Sequence, residues 1–244
     1  MKTTKIATII CVTMCAASAL LNAQSPTVRK PVFVGPGEVD GAALLPPPPP
    51  MDSWQTRMEL AELHRIQQTR TDADIAHAKA DDVQEDMFVF ATVLGPEFAA
   101  AKLPATKLLS DHLKNDEGVN VGPIKKAFQR PRPYQFDPTL KAVCKTTTNT
   151  ADYSYPSGHG TTGYLMGLTL VMMVPEKRAE ILARADDYGH SRLVCGVHYP
   201  ADEVASRTIA YTLIGAMLKN PQYVQELAAA REETRKALKL PAAK

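Results

Sequence analysis

Three short segments of this chain concentrate residues whose types and spacing suit phosphate chemistry. The first contains Lys125 and Arg132, with six residues between them, and Arg132 stands between Pro131 and Pro133. Because proline restricts its neighbours, the backbone pre-orients a guanidinium whose planar fork of N–H donors suits phosphate oxygens. A basic cluster of this kind is by itself usually a solvated surface. The segment therefore indicates a phosphate site only in combination with the other two.

The second segment runs from Tyr155 to Gly160 and connects a polar loop to an apolar helix. Ser157 is a natural N-cap and Gly158 allows close backbone approach, so the first-turn N–H groups would point at a bound anion. His159 lies in the same turn, where it could donate a proton to a leaving oxygen. The alternative is an ordinary helix start with an incidental histidine.

The third segment contains Arg192, His198 and Asp202. Arg192 falls in the last turn of one predicted helix and His198 in the following loop. Pro200 begins the next helix, which places Asp202 in its first turn, four residues after His198. A carboxylate there can accept a hydrogen bond from one imidazole nitrogen, which fixes the tautomer and leaves the other nitrogen free to attack. A purely structural His–Asp capping pair is the alternative.

The elements that must position these residues are predicted to be helices. Ser53 can cap a helix that begins at Trp54, with a break near Thr71 and Asp72. Gly, Pro and apolar spacing predict the later helices at residues 81–94, 104–115, 123–129, 159–174, 176–194, 201–218 and 222–238. Residues 131–156 are predicted to form a loop. Because alternation of β-branched residues is never sustained, the prediction is one all-α domain over residues 53–244.

Residues 24–52 differ from the rest in composition, because they are rich in proline and glycine. They include the uninterrupted run Pro46 to Pro50. Polyproline is stiff and extended, and it cannot continue a helix or the interior of a sheet. We interpret this region as an extended arm laid on the surface, or as a spacer. A recognition ligand for another protein is the alternative.

The first 23 residues have the pattern of a secretory signal peptide. Lys2 and Lys5 precede an apolar, uncharged stretch that ends in small residues, with cleavage expected after Ala19 or Ala23. An uncleaved membrane anchor is the alternative. No later run of about 18 apolar residues is present, so no stable membrane insertion is expected after removal of the leader. The expected location is the periplasm or the exterior of the cell.

Composition narrows the choice of partners. The formal net charge of the 244 residues is +2, so a basic field of the kind that holds nucleic acid is absent.

The cysteines divide between the predicted leader and the mature chain. Cys11 and Cys15 fall in the leader, which leaves Cys144 and Cys195. An even pair in an exported chain favours one disulfide, with two separate buried thiols as the alternative. His/Cys or Asp/Glu clusters with metal-ligand spacing are not present.

The order and spacing of the three segments resemble the signature of the type-2 phosphatidic acid phosphatase (PAP2) superfamily. A wider similarity runs from about residue 81 to residue 213 and includes Glu85-Asp86, Leu103-Pro104 and Cys195-Gly196. It resembles the bacterial class A non-specific acid phosphatases, which are exported. The resemblance implies a helical bundle of the PAP2/haloperoxidase type, activity on small phosphate esters with broad specificity, and a homo-oligomer.

The resemblance also implies roles for individual residues. His198, oriented by Asp202, would attack phosphorus and form a phosphohistidine, while His159 would protonate the leaving alcohol and then activate water. The phosphate would be held by Lys125, Arg132, Ser157, Gly158 and Arg192. Cationic side chains replace a metal in this family, so no metal or other cofactor is expected. The cysteines that correspond to Cys144 and Cys195 form a disulfide in the family.

Some features depart from the family pattern. Gly160 stands where many relatives have threonine, so one hydroxyl near the site is missing, and His190 has no assigned role.

Two other functions are compatible with the same residues. One is a vanadate-dependent haloperoxidase, against which chain length and the flanking sequence argue. The other is a phosphate-binding protein without enzymatic activity that displays the proline-rich arm.

Overall fold

The computed structural model describes residues 29–241, so the predicted signal peptide lies outside the described residues. Within this range the backbone forms no strand, which confirms the all-α fold class. None of the described helices combines the length and the apolar composition needed to cross a membrane. The helices are α1 Gly41–Leu44, α2 Trp54–Thr69, α3 Asp72–Val83, α4 Ala91–Leu94, α5 Pro104–Phe128, α6 Pro133–Phe136, α7 Gly158–Met173, α8 Arg178–Val194, α9 Pro200–Met217 and α10 Pro221–Ala237.

Helix α7 is the centre of the bundle. It packs against α5, α8, α9 and α10, and its residues Leu165 and Leu170 are fully buried. A helix that is apolar on most of its surface is expected to be enclosed by others. Gly163 allows α8 to approach closely, because a Cβ at this position would lie 2.6 Å from Cδ1 of Tyr188. The N-terminus of α7, which carries the second segment, is thereby fixed by the core.

The region between the first helices and α5 differs in part from the prediction. The predicted break is confirmed, since α2 ends at Thr69 and Thr71 caps α3 in a capping box with Asp74. The predicted helix over residues 81–94 is wrong, because α3 continues to Val83 and a 3₁₀ turn then spans Met87–Phe90. All four residues of that turn are buried, and an α-helix would expose part of such an apolar run.

Two separate helices, predicted over residues 104–115 and 123–129, are in fact the single helix α5. Pro123 lies inside it, although an interior proline removes a backbone hydrogen bond and costs about 3 kcal/mol. Leu113, Val121 and Ile124 are buried on both sides of the proline. Burial of that continuous apolar face outweighs the local penalty, so the helix continues until Gln129, whose φ of 53° ends it.

The described part of the proline-rich arm, residues 29–52, lies against the helices. The Asp116 carboxylate accepts from the N–H groups of Phe33 and Val34 at 2.7 and 2.9 Å, and both apolar side chains are buried in the core. Within the proline run, the carbonyl of Pro46 accepts from the Tyr155 hydroxyl at 2.7 Å. The arm is therefore packed against α5 and against the residues that precede α7.

Cys144 and Cys195 form a disulfide, as expected for the pair. Their Cα atoms are 5.1 Å apart, and the bond links positions separated by 51 residues. Beside it, the N–H of Val143 donates to the carbonyl of Cys195 at 3.0 Å. The bond ties the long loop before α7 to the end of α8, so it joins the second and third segments of the sequence.

Candidate active site

The three sequence segments meet at one end of the bundle. Lys125 lies in the last turn of α5, His159 in the first turn of α7, Arg192 in the last turn of α8, and His198 in the loop before α9. They surround a pocket of about 540 Å³, whose wall is completed by Asp82, Val83, Glu85, Arg132, Lys145, Thr146, Thr147, Asp152 and Gly158. Of the predicted site residues, only Ser157 and Asp202 do not line it, and both are fully buried.

His198 is held through both of its ring nitrogens. Nδ1 lies 3.1 Å from Oδ2 of Asp202, and Nε2 lies 2.9 Å from a guanidinium nitrogen of Arg132. Because arginine can only donate, Nε2 must accept, so the proton is on Nδ1 and is donated to Asp202. Burial and then the charge of Arg132 hold the pKa of His198 well below its usual value. The residue is thus a neutral imidazole with a lone pair on Nε2, which lies beside the cations of the pocket.

Asp202 is itself held by a buried ion-pair network. Arg130 donates to Oδ1 of Asp202 at 2.8 Å and to Glu59 at 2.5 Å, and its guanidinium stacks 3.7 Å over the ring of Tyr199. The N–H of Tyr199 donates to Oδ2 of Asp202 at 2.9 Å. The side chain of Arg130 is 1% exposed, so the carboxylate that orients His198 has almost no freedom to turn.

Arg130 and Glu59 were missed by the sequence analysis. Arg130 belongs to the first basic segment, but its residue type alone does not distinguish a buried partner of Asp202 from a solvated cation. Glu59 lies 71 residues away on α2 and has no local signal that connects it with the site. It also accepts from the N–H of Ala201 at 2.8 Å, so it supports the start of α9 as well as Arg130.

His159 is less tightly enclosed than His198. Its Nε2 donates to the backbone carbonyl of Asp82 at 3.2 Å and lies 3.6 Å from a carboxylate oxygen of Glu85. The ring stacks on Tyr188 with centroids 6.3 Å apart. Burial and the charge of Arg192 lower the pKa of His159 to about 4, while Glu85 acts in the opposite direction. With this pKa the imidazole is mainly neutral near neutral pH, and its protonated form would be the proton donor at the wall of the pocket.

Lys125 points into the site from the last turn of α5. Its Nζ donates to the carbonyls of Tyr153 and Ser154 at 2.8 and 3.1 Å, so the loop before α7 determines its direction. Burial, together with the charge of Arg132, lowers the pKa of Lys125 to about 7. An anion in the pocket would favour the charged ammonium, because opposite charges at short distance stabilise each other.

The two arginines of the pocket are held by carboxylates. Arg132 donates to Asp152 at 3.0 Å, and Arg192 donates to Asp82 at 2.7 Å. Burial acts to raise the pKa of Asp82, but the charge and the hydrogen bond of Arg192 lower it overall. The carboxylates therefore fix each guanidinium in direction, while Arg132 and Arg192 still line the cavity.

The start of α7 confirms that Ser157 caps the helix, whereas its role as a phosphate ligand stays a prediction. The Ser157 hydroxyl accepts from the N–H of Gly160 at 3.1 Å, so it is the N-cap. It is fully buried and does not line the pocket. Gly158 does line the pocket, and a Cβ there would lie 2.8 Å from a carboxylate oxygen of Glu117.

Comparison with known proteins agrees with this geometry. Residues 106–226 match the family model of the PAP2 superfamily. Non-specific acid phosphatases of Providencia stuartii and Salmonella typhi are 28% and 29% identical over 214 and 213 residues, which cover 82% of this chain and 83% of each relative. An acid phosphatase of Zymomonas mobilis is 31% identical over 151 residues, which cover 61% of this chain and 56% of that protein.

The chain belongs to the PAP2 superfamily, and its relatives identify it as a phosphatase. The eight predicted site residues come together at one end of the bundle, although Ser157 and Asp202 lie outside the pocket wall.

Proposed function

We propose that the protein is an exported acid phosphatase that hydrolyses phosphate monoesters of broad specificity through a phosphohistidine, without a metal. The single observation that carries this proposal is the orientation of His198. Its Nδ1 is bound to Asp202, and the lone pair of Nε2 lies 2.9 Å from the guanidinium of Arg132. A nucleophile in one tautomer, beside groups that bind phosphate oxygens, is the arrangement that phosphoryl transfer requires.

In the first step, Nε2 of His198 attacks phosphorus and the bond from phosphorus to the leaving oxygen breaks. His159 donates its proton to that oxygen, which leaves as an alcohol. As the nitrogen–phosphorus bond forms, the imidazole becomes positively charged, and the Asp202 carboxylate stabilises this charge through Nδ1. Arg132 then donates to phosphate oxygens in place of Nε2.

In the second step, water attacks the phosphohistidine from the side of the departed alcohol. His159, now neutral, accepts a proton from this water, and the nitrogen–phosphorus bond breaks to release inorganic phosphate. Lys125, Arg132 and Arg192 stabilise the charge that spreads over the equatorial oxygens in both steps. These three cations supply the electrostatic stabilisation for which other phosphatases use metal ions.

The electrostatics of the site favour acidic conditions. Lys125, with a pKa of about 7, is cationic below that pH and binds phosphate best there. His159 has a pKa of about 4 and must be protonated to act as an acid. A bound phosphate adds negative charge beside Arg192 and raises the pKa of His159 toward the working pH. Both effects predict activity that rises as the pH falls from neutral to mildly acidic values.

The experiment that tests this function is a phosphatase assay on the purified mature protein at mildly acidic pH, with excess chelator. We expect turnover of p-nitrophenyl phosphate and of nucleoside and sugar monophosphates, and inhibition by vanadate. Rapid quenching should trap a phosphoenzyme that is labile in acid and stable in base, as expected for phosphohistidine. A strict requirement for a divalent metal would contradict the proposal. Bromide oxidation with added vanadate, in the absence of ester hydrolysis, would favour a haloperoxidase.

A further inference from the structure

Glu85 is a carboxylate on the wall of the pocket that the proposed mechanism does not use. It lies between the end of α3 at Val83 and the 3₁₀ turn Met87–Phe90, and it lines the cavity beside His159. Oε1 of Glu85 is 3.6 Å from Nε2 of His159, which is within the range of an ion pair although too long for a good hydrogen bond. The negative charge of Glu85 therefore acts on His159 through space, and it favours the protonated imidazole.

The other charged and titratable groups that face His159 come from the elements packed around it. They are Asp82 on α3, Lys114 on α5, Tyr188 and Arg192 on α8, and His198 in the loop before α9. The Asp82 carboxylate is 4.0 Å from Nε2 of His159, but it is already bound to Arg192 at 2.7 Å. Arg192 and Lys114 both oppose a positive charge on the ring. Among residues 29–241, Glu85 is thus the nearest carboxylate to His159 that is not bound to an arginine.

Lys114 divides its charge between two carboxylates. Its Nζ pairs with Oε2 of Glu85, and it donates to Glu117 at 2.9 Å and to the Thr162 hydroxyl at 3.3 Å. Because one ammonium cannot neutralise two carboxylates, the three side chains together remain negative. Burial acts to raise the pKa of Glu85, but the charges of His159 and Lys114 lower it overall, so Glu85 is ionised at mildly acidic pH. Of the two carboxylates, Glu85 is the one that lines the pocket.

We propose that Glu85 is a positioning residue for the general acid: its carboxylate stabilises the protonated imidazole of His159, and Lys114 limits this stabilisation. The inference rests on the proposed function, which assigns the acid role to His159. Glu85 itself neither donates nor accepts the proton, so its charge is the same before and after each step. A carboxylate that held the proton too strongly would slow its transfer to the leaving oxygen, and the ammonium of Lys114 reduces that attraction.

The two charges predict shifts of opposite sign in the pH dependence. His159 must be protonated to act, so the rate of phosphoenzyme formation from an alkyl phosphate falls as the pH rises above the pKa of His159 in the complex with substrate. Glu85→Gln lowers that pKa, so the fall should begin about one pH unit lower, with an about ten-fold lower rate on the alkaline side. Lys114→Gln raises that pKa, so the fall should begin at a higher pH than in the wild type.

Lys125 titrates in a neighbouring range and must be separated from His159. Its pKa is about 7, and its deprotonation weakens phosphate binding for every ester. Formation of the phosphoenzyme from p-nitrophenyl phosphate depends on Lys125 but little on a general acid, because p-nitrophenolate is a good leaving group. Single-turnover rates should therefore shift between the variants with the alkyl ester and shift much less with p-nitrophenyl phosphate.

A second measurement does not depend on turnover. The ring protons of His159 are followed by NMR during a pH titration of the mature protein with saturating inorganic phosphate, and His159→Ala identifies their signals. We expect the pKa of His159 to fall by about one unit in Glu85→Gln and to rise in Lys114→Gln. Glu85→Asp retains the charge, so it should remain much closer to the wild type than Glu85→Gln does.

Glu97→Gln is the matched control, because Glu97 is an exposed carboxylate that also pairs with a lysine and lies outside the pocket wall. It should leave the pKa of His159 and both rates unchanged. An unaltered His159 pKa in Glu85→Gln, or shifts of the same sign in Glu85→Gln and Lys114→Gln, would overturn the proposal. If Lys114→Gln does not fold, an equal His159 pKa in Glu85→Gln and Glu85→Asp would overturn it. Lack of phosphatase activity in the wild type would instead refute the proposed function.

Discussion

The two histidines of the pocket are held in contrasting ways. His198 is 1% exposed, and its two nitrogens are bound to Asp202 and Arg132. The side chain of His159 is 20% exposed, and its polar contacts are a backbone carbonyl at 3.2 Å and the more distant Glu85 carboxylate at 3.6 Å. One imidazole is fixed in tautomer and direction, whereas the other retains access to the cavity.

This contrast corresponds to the two chemical roles that the proposed mechanism requires, a nucleophile and a general acid. A nucleophile must present the same nitrogen along one line to phosphorus, so Asp202, backed by Arg130 and Glu59, fixes His198 in a buried network. A general acid must lose its proton to the leaving group and recover one from water, so His159 lies at the wall of the cavity. Substitutions that affect His198 and substitutions that affect His159 should therefore have different kinetic consequences.

The largest effect is expected for His198→Ala. The variant lacks the nitrogen that attacks phosphorus, so kcat/KM should fall by at least about 10⁴-fold for every phosphate ester. No phosphoenzyme should be trapped after rapid quenching with any substrate. His190→Ala is the matched control, since His190 is exposed and outside the pocket wall, and it should retain both turnover and the phosphoenzyme. Turnover by His198→Ala near the wild-type rate would remove His198 from the mechanism.

A smaller and more selective effect is expected for His159→Ala. General acid catalysis contributes about 10²- to 10⁴-fold, and it matters most when the leaving alcohol is a poor leaving group. Hydrolysis of alkyl phosphates should therefore fall by about that factor, whereas formation of the phosphoenzyme from p-nitrophenyl phosphate should fall much less. Single-turnover measurements with both kinds of ester provide the comparison. An equal loss for both leaving groups would show that His159 is not the proton donor.

The smallest effect is expected for Glu59→Gln, which weakens the outer part of the network behind His198. The amide still accepts a hydrogen bond but removes the charge that holds Arg130, so kcat should fall roughly ten-fold, about 1.4 kcal/mol, with little change in KM. The free energy of unfolding should fall by about 1.5 to 3 kcal/mol in denaturant titrations. Glu62→Gln, at a half-exposed position on the same helix where the carboxylate pairs only with the exposed Arg65, should leave both quantities nearly unchanged. A loss of stability with an unaltered kcat would mean that Glu59 acts only on folding.

Much of the fold near the site could be predicted because its signals are local. Ser53 was predicted to cap α2 and does so, and the break predicted near Thr71 and Asp72 is the point at which Thr71 caps α3. Pro200 placed Asp202 in the first turn of α9, four residues after His198, where the predicted hydrogen bond forms at 3.1 Å. By contrast, α5 continues through Pro123, because burial of apolar side chains on both sides of the proline outweighs the local cost of the proline. The local expectation that a helix ends before a proline therefore gave the wrong bounds.

Most residues of the candidate site could be predicted from the sequence, but the contacts and the burial of their side chains could not. Arg130 resembles any basic residue in sequence, and only its buried contacts with Asp202 and Glu59 reveal its part in the site. Ser157 was correctly predicted to cap α7, where its hydroxyl accepts from the Gly160 N–H, but only the structure reveals that it is fully buried and outside the pocket wall. These contacts join residues far apart in the chain or depend on the packing of α7 against α9.

The sequence by itself determined the all-α class, favoured the disulfide between Cys144 and Cys195, and predicted which residues would carry phosphate chemistry. Residue type and short spacing suffice for these, because caps, prolines and a His–Asp pair four residues apart act through local geometry. Only the tertiary structure decided that Glu59 binds the arginine that holds Asp202, that Ser157 is fully buried, and that Glu203 occupies the space beside Gly160. Those features depend on which side chains are packed together and kept from water, and packing is a property of the whole bundle.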